Sequence, residues 1–339
     1  MNNAILAVDI GAGTVKLLYG TKNKVLAKDI VDTPPQTVED NKIIQVEPIY
    51  NLISNFISAN RIKPKRISFC IYGNDLVIRH IEVPYMKEKD IQKTVEWEIG
   101  RNLPNAGANY YIDYEILNCK EGKKEKVYQI LAAAVLKERI DAYLQLADVL
   151  DLKVCAIDIK ANCTARVFKQ FVQGKNEIKN IGIIDIGKNT TTFTIVDKRR
   201  LAIERQIPLG VEQLMNEVAK SNPDLKELEF QYIQHSFSHS NTTNETDIRI
   251  SQMLENIVIS FQKVVQFYTT GKLEKLISYI IVIGAGGSIY NIEELIKNYF
   301  PVTSVLQIND AKFKRKSRIF KDLDLQYYTN TLGLLLRED

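Results

Sequence analysis

Apolar residues along the chain fall into short continuous runs, helical stripes and glycine-punctuated turns, the texture of a mixed α/β protein. Residues 5–10 and 15–19 are β-type runs separated by Gly11, Ala12, Gly13 and Thr14, which predicts a hairpin. Ile49, Leu52, Ile53, Phe56 and Ile57 recur at helical spacing over 48–59, and the apolar run at 66–72 predicts a buried strand closing a βββαβ-like unit. Near residue 75 the pattern changes. A strand at 76–83 precedes a helix over 87–103 with Ile91, Val95, Ile99 and Leu103 on one stripe. Strands at 110–117 and 127–135 follow, around the charged turn CKEGKKEK, and then a helix carrying Ile140, Tyr143, Leu144 and Ala147. This segment reads as a compact insert that returns to the first domain near Lys153.

A helix over 161–171 leads to a second hairpin, 181–185 with 191–196, around the turn IGKNTT. Both hairpins read as apolar strand, Asp, one residue, Gly, a short turn with Thr, and a returning strand. The duplication predicts two halves related by pseudo-symmetry. Residues 208–271 are mostly helical in pattern, interrupted by the polar stretch HSFSHSNTTNET, after which Ile250, Leu254, Ile257, Phe261, Val264, Val265 and Tyr268 share one face. A strand at 279–283, a glycine loop at 284–288 and helices at 292–299 and 327–337 complete the chain.

A length of 339 residues suggests about two domains. Contents of 45% hydrophobic and 25% charged residues match globular proteins and exclude a disordered or fibrous chain. The net charge of +4 is too small to imply binding to a phosphate backbone, and no nucleic-acid partner is expected. Cys70, Cys119, Cys155 and Cys163 form no CxxC pair and read as small buried hydrophobes of a reducing compartment. The start MNNAILAVDIGAG lacks a signal-peptide pattern, and no apolar run approaches the roughly 18 residues of a membrane span. A cytoplasmic protein is expected, meeting the membrane only through a partner.

Asp9, Gly11, Ala12, Gly13, Thr14 and Lys16 have the parts of a phosphate-gripping turn. Glycines permit φ > 0 and close backbone approach, Thr14 and Lys16 supply donors, and Asp9 would hold a hydrated divalent cation. Asp185, Gly187, Lys188, Asn189, Thr190 and Thr191 repeat the arrangement, so two acid-bearing turns could face one triphosphate. Gly284, Gly286, Gly287 and Ser288 follow an apolar strand and offer a flat backbone shelf for an adenine ring. GxGxxG fails at Ile289, and no Walker lysine motif occurs, which excludes P-loop chemistry. His235 and His239 read as part of a solvated loop rather than a metal pair. Trp97 either packs between subdomains or lines a partner groove, and the basic run AKFKRKSRIFK reads as a solvated edge.

Taken in order, DIGAGTVK, DIGKNTT and IVIGAGGS resemble the phosphate-1, phosphate-2 and adenosine motifs of the actin, sugar-kinase and heat-shock ATPase superfamily. Together with IEVPYMKEKDIQKTVEWEIGRNLP, AIDIKANCTARVF, ERQIPLGVEQLMNEVA, FQKVVQFYTTG and NTLGLLLRE, nearly the whole chain resembles the type IV pilus assembly PilM family, a relative of the division protein FtsA. The resemblance implies an α/β, actin-like (ribonuclease H-like) duplicated fold with two lobes around a nucleotide cleft and an FtsA-like insert. Subdomain 1A would comprise 1–78, 153–178 and 318–339; the inserted subdomain 1C, 79–152; subdomain 2A, 179–208 and 272–317; and subdomain 2B, 209–271. It further implies ATP as ligand, Mg2+ held by Asp9 and Asp185, and Lys263 as an added nucleotide contact.

The implied role is a cytoplasmic scaffold of type IV pilus assembly and twitching motility at the inner face of the cell membrane. Its expected partner is the amino-terminal segment of the inner-membrane protein PilN, with room for contacts to a pilus motor ATPase and for self-association. An FtsA-type membrane-associated filament and a small-molecule kinase are the alternatives. Two departures matter: Lys188 and Asn189 stand where such turns often carry a small or acidic residue and a glycine, and Lys160 stands where several relatives carry an acid. ATP binding is therefore expected with slow or absent hydrolysis, and no residue is assigned a catalytic role.

Overall fold

The structure is a computed structural model that describes residues 4–39, 41–121, 126–169, 180–197, 200–221, 245–270, 275–289, 291–308 and 318–337. β1 (Ile5–Ile10) and β2 (Thr14–Thr21) form the expected hairpin, and β3 (Lys24–Asp32) extends it antiparallel. A two-residue ribbon of β4 (Val38–Glu39) and β5 (Lys42–Ile43) precedes α1 (Val46–Ala59), which buries Ile49, Leu52, Ile53 and Phe56. β6 (Arg66–Ile71) returns parallel to β1.

The insert is built from β7 (Val77–Pro84), α2 (Glu88–Gly100), β8 (Tyr110–Glu121) and β9 (Lys126–Leu136), with strands in the order β7-β9-β8. Ile91, Val95 and Ile99 of α2 pack with Val83, Ile130, Ala132 and Ala134 in a core of its own. Leu103 falls beyond the end of α2, before a 3-10 turn at Pro104–Gly107. Next, α3 (Lys137–Val149) packs beside α1, and β10 (Lys153–Ile159) pairs parallel with β6.

α4 (Lys160–Lys169) leads to the second half: β11 (Asn180–Ile186), β12 (Thr191–Asp197), β13 (Arg200–Ile207), α5 (Val211–Ser221), α6 (Glu245–Thr269), β14 (Ile277–Ile283), α7 (Ile292–Tyr299), β15 (Ser304–Gln307) and α8 (Leu325–Leu335). The first sheet runs β10-β6-β1-β2-β3 and the second β13-β12-β11-β14-β15. Each has three antiparallel strands continued by two parallel ones, so β1 corresponds to β11 and β6 to β14. The expected duplication is therefore a repeated topology. Central strands of such sheets are covered on both faces, which is why β1 and β11 are near-continuous apolar runs.

α4 and α8 lie between the two sheets. Cys163, Phe168, Tyr328 and Leu332 share one core with Ala7 and Leu18 of the first sheet and Ile183 and Ile281 of the second. Gly333 permits the crossing: a Cβ there would lie 2.2 Å from the Cys163 carbonyl oxygen. A separate core under α6 stacks Phe261 between Phe193 and Phe300, with ring centroids 5.5 Å apart on each side.

Two expectations change. Cys70 and Cys163 are buried, but Cys119 and Cys155 are exposed on β8 and β10, and all four thiols are free. Trp97 does not pack between subdomains; it is 63% exposed on α2, with the Arg101 guanidinium 4.8 Å from its ring centroid. His235 and His239 lie outside the described residues, as does most of the basic run at 311–321. No helix among the described residues is long and apolar enough to cross a membrane.

Candidate functional site

The turn after β1 is closed by the Gly11 N–H donating to the Thr14 carbonyl (3.1 Å), and the turn after β11 by the Gly187 N–H donating to the Thr190 carbonyl (2.9 Å). One structure is thus built twice, and the copies meet: a Cβ on Gly13 would lie 3.1 Å from Cδ of Lys188. Ala12 and Thr14 complete the first turn, both partly exposed. Contrary to expectation, Gly11, Gly13 and Gly187 do not use positive φ, so glycine serves close approach here. Nor does Asn189 adopt a left-handed conformation; its Oδ1 is buried without a hydrogen-bond partner.

Thr33 fastens the first turn, donating its hydroxyl to the Gly11 carbonyl (2.6 Å) and its N–H to the Gly13 carbonyl (3.0 Å). The second turn is fastened by the amino terminus of α5. Val211 and Glu212 donate their N–H groups to the carbonyls of Gly187 (3.0 Å) and Lys188 (2.9 Å), satisfying helix donors that would otherwise be unpaired. Gly210 makes this possible, since a Cβ there would lie 2.3 Å from the Lys188 oxygen. Thr190 Oγ1 accepts from Gln206 (2.9 Å), whereas the buried Thr191 donates its hydroxyl to the Leu209 carbonyl (2.6 Å), inside its own lobe.

Asp9 is only 2% exposed. Its Oδ2 accepts from Asn330 of α8 (3.0 Å) and lies 3.8 Å from Lys16 Nζ, while its Oδ1 is buried without a hydrogen-bond partner. Burial would raise the Asp9 pKa, but Lys16, Lys160, Asn330 and the Cys70 thiol outweigh it and hold the carboxyl below its ordinary value. Asp185 Oδ2 is 2.7 Å from the ammonium of Lys160, the first residue of α4, which also sits 4.4 Å from the centroid of the Tyr72 ring. Burial opposes charge on Lys160, yet Asp185, Tyr72 and Asp9 raise its pKa above the ordinary lysine value. The ammonium is the form present.

A divalent ion shared by Asp9 and Asp185 does not fit this arrangement. Each carboxylate already faces a lysine, and an ion bound to Asp185 would have to sit against Lys160. Among the described residues no group of three or more His, Cys, Asp or Glu side chains is placed to hold a metal. Beside this pair Glu204 of β13 turns its carboxyl inward with Oε2 unpartnered; burial pushes its pKa up to about 7, against the pull of Lys160 and with the help of Asp185.

The glycine loop after β14 docks on the end of β11. Gly284 has φ +79°, and a Cβ there would meet Asp185 Oδ1 at 2.4 Å; one on Gly286 would meet Ile186 at 2.4 Å. Gln326 of α8 donates to the Gly284 carbonyl (3.1 Å) and to Ser288 Oγ (2.6 Å), and its side chain also lies over Gly287. Lys263 is exposed on α6, and no contact among the described residues joins it to the turns.

A groove of about 790 Å3 lies elsewhere, between the insert on one side and the end of β10, α4, the end of α8 and the start of β13 on the other. Asp113, Tyr114 and Glu115 of β8 line one wall, and Asp158, Arg166 and Arg337 the other. Asp158 accepts from both Arg166 and Arg337, the latter at 2.9 Å. Burial and the charge of Arg337 lower the Arg166 pKa to about 10. The groove covers one face of the insert sheet, because Asp113, Glu115 and Leu117 alternate along β8 and Ala133 and Leu131 stand beside them on β9, and it reaches the outer edge of β8 at Tyr114.

Two sheets of the same strand order, each ending its first hairpin at an aspartate and a glycine turn, make this an actin-like ATPase fold. The chain is similar over 98% of its length to MreB 5 of Spiroplasma citri bound to AMPPNP (TM-score 0.55, 11% identity, 95% of that chain covered). It is likewise similar to the ethanolamine utilization protein EutJ of Carboxydothermus hydrogenoformans (TM-score 0.56, 12% identity, 98% of this chain and 88% of that one). The likeness to a PilM-PilN type IV pilus biogenesis complex is stronger, with a TM-score of 0.79 at 17% identity and 98% of both chains covered. The profile of the type IV pilus assembly protein PilM family matches residues 7–338, and the chain belongs to that family.

Proposed function

We propose that the protein is an ATP-binding scaffold of the type IV pilus machinery whose groove captures the amino-terminal cytoplasmic segment of PilN. The observation that carries this reading is a groove over the insert sheet that reaches the outer edge of β8, the end strand of that sheet among the described residues. An extended segment can add to such an edge by main-chain hydrogen bonds, with side-chain pockets on either side giving specificity. Capture of PilN brings the protein to the inner face of the cell membrane from the cytoplasm. The duplicated turns, in contact at Gly13 and Lys188, support the nucleotide part of the reading, with the triphosphate between them and the adenosine towards the loop at 284–288. Lys160 stands where a water-activating carboxylate is expected, so turnover is slow, below about 1 per second.

Calorimetry with a PilN amino-terminal peptide tests the partner. Binding is expected, and an analogue N-methylated along its pairing edge is expected to bind at least about tenfold more weakly, since each lost charge-free hydrogen bond costs about 1 kcal/mol. Absence of binding with and without ATP refutes the proposal, and equal binding of the N-methylated analogue refutes strand addition.

A further inference from the structure

Lys160 is the buried cation of the cleft. Its side chain is 11% exposed, its Nζ lies 2.7 Å from Asp185 Oδ2 and 4.4 Å from the Tyr72 ring centroid, and it is set in place by the start of α4. A lysine carries three donors, and among the described residues this one pairs with Asp185. On the opposite turn Lys16 faces Asp9, and Lys188 reaches from the second turn across Gly13 of the first. The two aspartates are thus compensated by two lysines before any ion binds, and a polyphosphate entering between the turns meets the ammonium groups of Lys16 and Lys160, whereas Lys188 Nζ lies 3.7 Å from Glu212 Oε1.

We infer that Lys160 stands in for the divalent cation, so that the cleft takes a nucleoside triphosphate in its metal-free form. This rests on the nucleotide reading above. A magnesium ion serves such sites by neutralising phosphate charge and by tying the phosphates to the acidic strand ends. An ammonium held on Asp185 does both: it bonds the carboxylate on one side and offers its remaining donors to phosphate oxygens on the other. The orphaned Oδ1 of Asp9 provides one acceptor, which a water can satisfy without a second carboxylate.

The test is ATP binding to the full chain, by calorimetry, in EDTA and in excess Mg2+. The wild type is expected to bind ATP with affinities within about threefold of each other in the two conditions, as follows when no metal bridges protein and phosphate. Lys160→Gln is expected to lose about tenfold or more in EDTA and to recover part of it with Mg2+, whereas Lys160→Arg keeps metal-independent binding. Wild-type binding that requires Mg2+ overturns the inference and leaves the nucleotide reading standing; no ATP binding in either condition overturns both. A second readout needs no nucleotide. Electron paramagnetic resonance of Mn2+ titrated into the wild-type protein is expected to show no protein-bound ion, and a bound ion that Asp185→Asn abolishes overturns the inference whatever the behaviour of the variants.

Discussion

Asn330 ties three elements together at one buried point, and its removal has a calculable cost. Its Nδ2 donates to Asp9 Oδ2 of β1 (3.0 Å), its Oδ1 accepts from Thr164 of α4 (3.1 Å), and it sits on α8 at 5% exposure. Asn330→Ala removes a hydrogen bond to a buried carboxylate, worth about 1.5–3 kcal/mol, and leaves the Thr164 hydroxyl unpaired at a further cost of about 1 kcal/mol. The expected loss is about 3 kcal/mol. With a urea dependence of about 3 kcal/mol per M, at the upper end for small proteins, the midpoint falls by about 1 M. Circular dichroism is the suitable probe, because the single tryptophan, Trp97, is exposed on the insert and remote from this contact. Thr164→Val alone is expected to cost about 1 kcal/mol, and adding it to Asn330→Ala little more, because both delete one shared bond. A midpoint shift below about 0.2 M for Asn330→Ala, or full additivity of the pair, refutes the reasoning.

Gly284→Ala forces a side chain onto a φ of +79° and against Asp185 Oδ1, so it is expected to cost about 2 kcal/mol or more, measured as a fall in melting temperature. Glu204 has a pKa raised to about 7 by burial, so the folded state holds its proton more tightly than the unfolded chain. Stability is then lost as pH rises from the unfolded value of about 4.3 through about 7, and Glu204→Gln is expected to raise the melting temperature at pH 8 and leave it unchanged at pH 4.5. Arg139 of α3 is buried and donates to Asp75, to the Tyr72 carbonyl and to the Asn41 carbonyl (3.0 Å). Arg139→Met strands those acceptors and is expected to cost about 3–5 kcal/mol in urea unfolding.

What could be read from the sequence follows burial. β1, β11 and β14 are covered on both faces and announce themselves as apolar runs, while α2 and α6 carry clear stripes. β3 and β13 lie at sheet edges with mixed exposure, so their patterns resemble loops. The turns themselves were legible from their glycines and acids, although the reason for the glycines was misplaced: of the motif glycines only Gly284 needs positive φ. The groups that position the site were not legible. Asn330 meets Asp9 across 321 positions and Gln326 meets Gly284 across 42, and no local pattern announces such pairs. Gly210 sat in a recognisable stretch without a visible role. Lys160 stood out as an odd residue, and only the fold supplied its partner, Asp185.

The outer edge of β8 also bears on how two copies of the chain could pair. A strand of 12 residues that pairs on one side only, as β8 does with β9 among the described residues, offers its other side as a template for edge-to-edge aggregation. Here Asp113 and Glu115 are exposed on either side of Tyr114. Antiparallel pairing of two copies centred on Tyr114 would set Asp113 of each opposite Glu115 of the other, two like-charge contacts that the pairing would have to overcome. The same two acids place no such like-charge contact before a segment that carries no acid at the opposite positions.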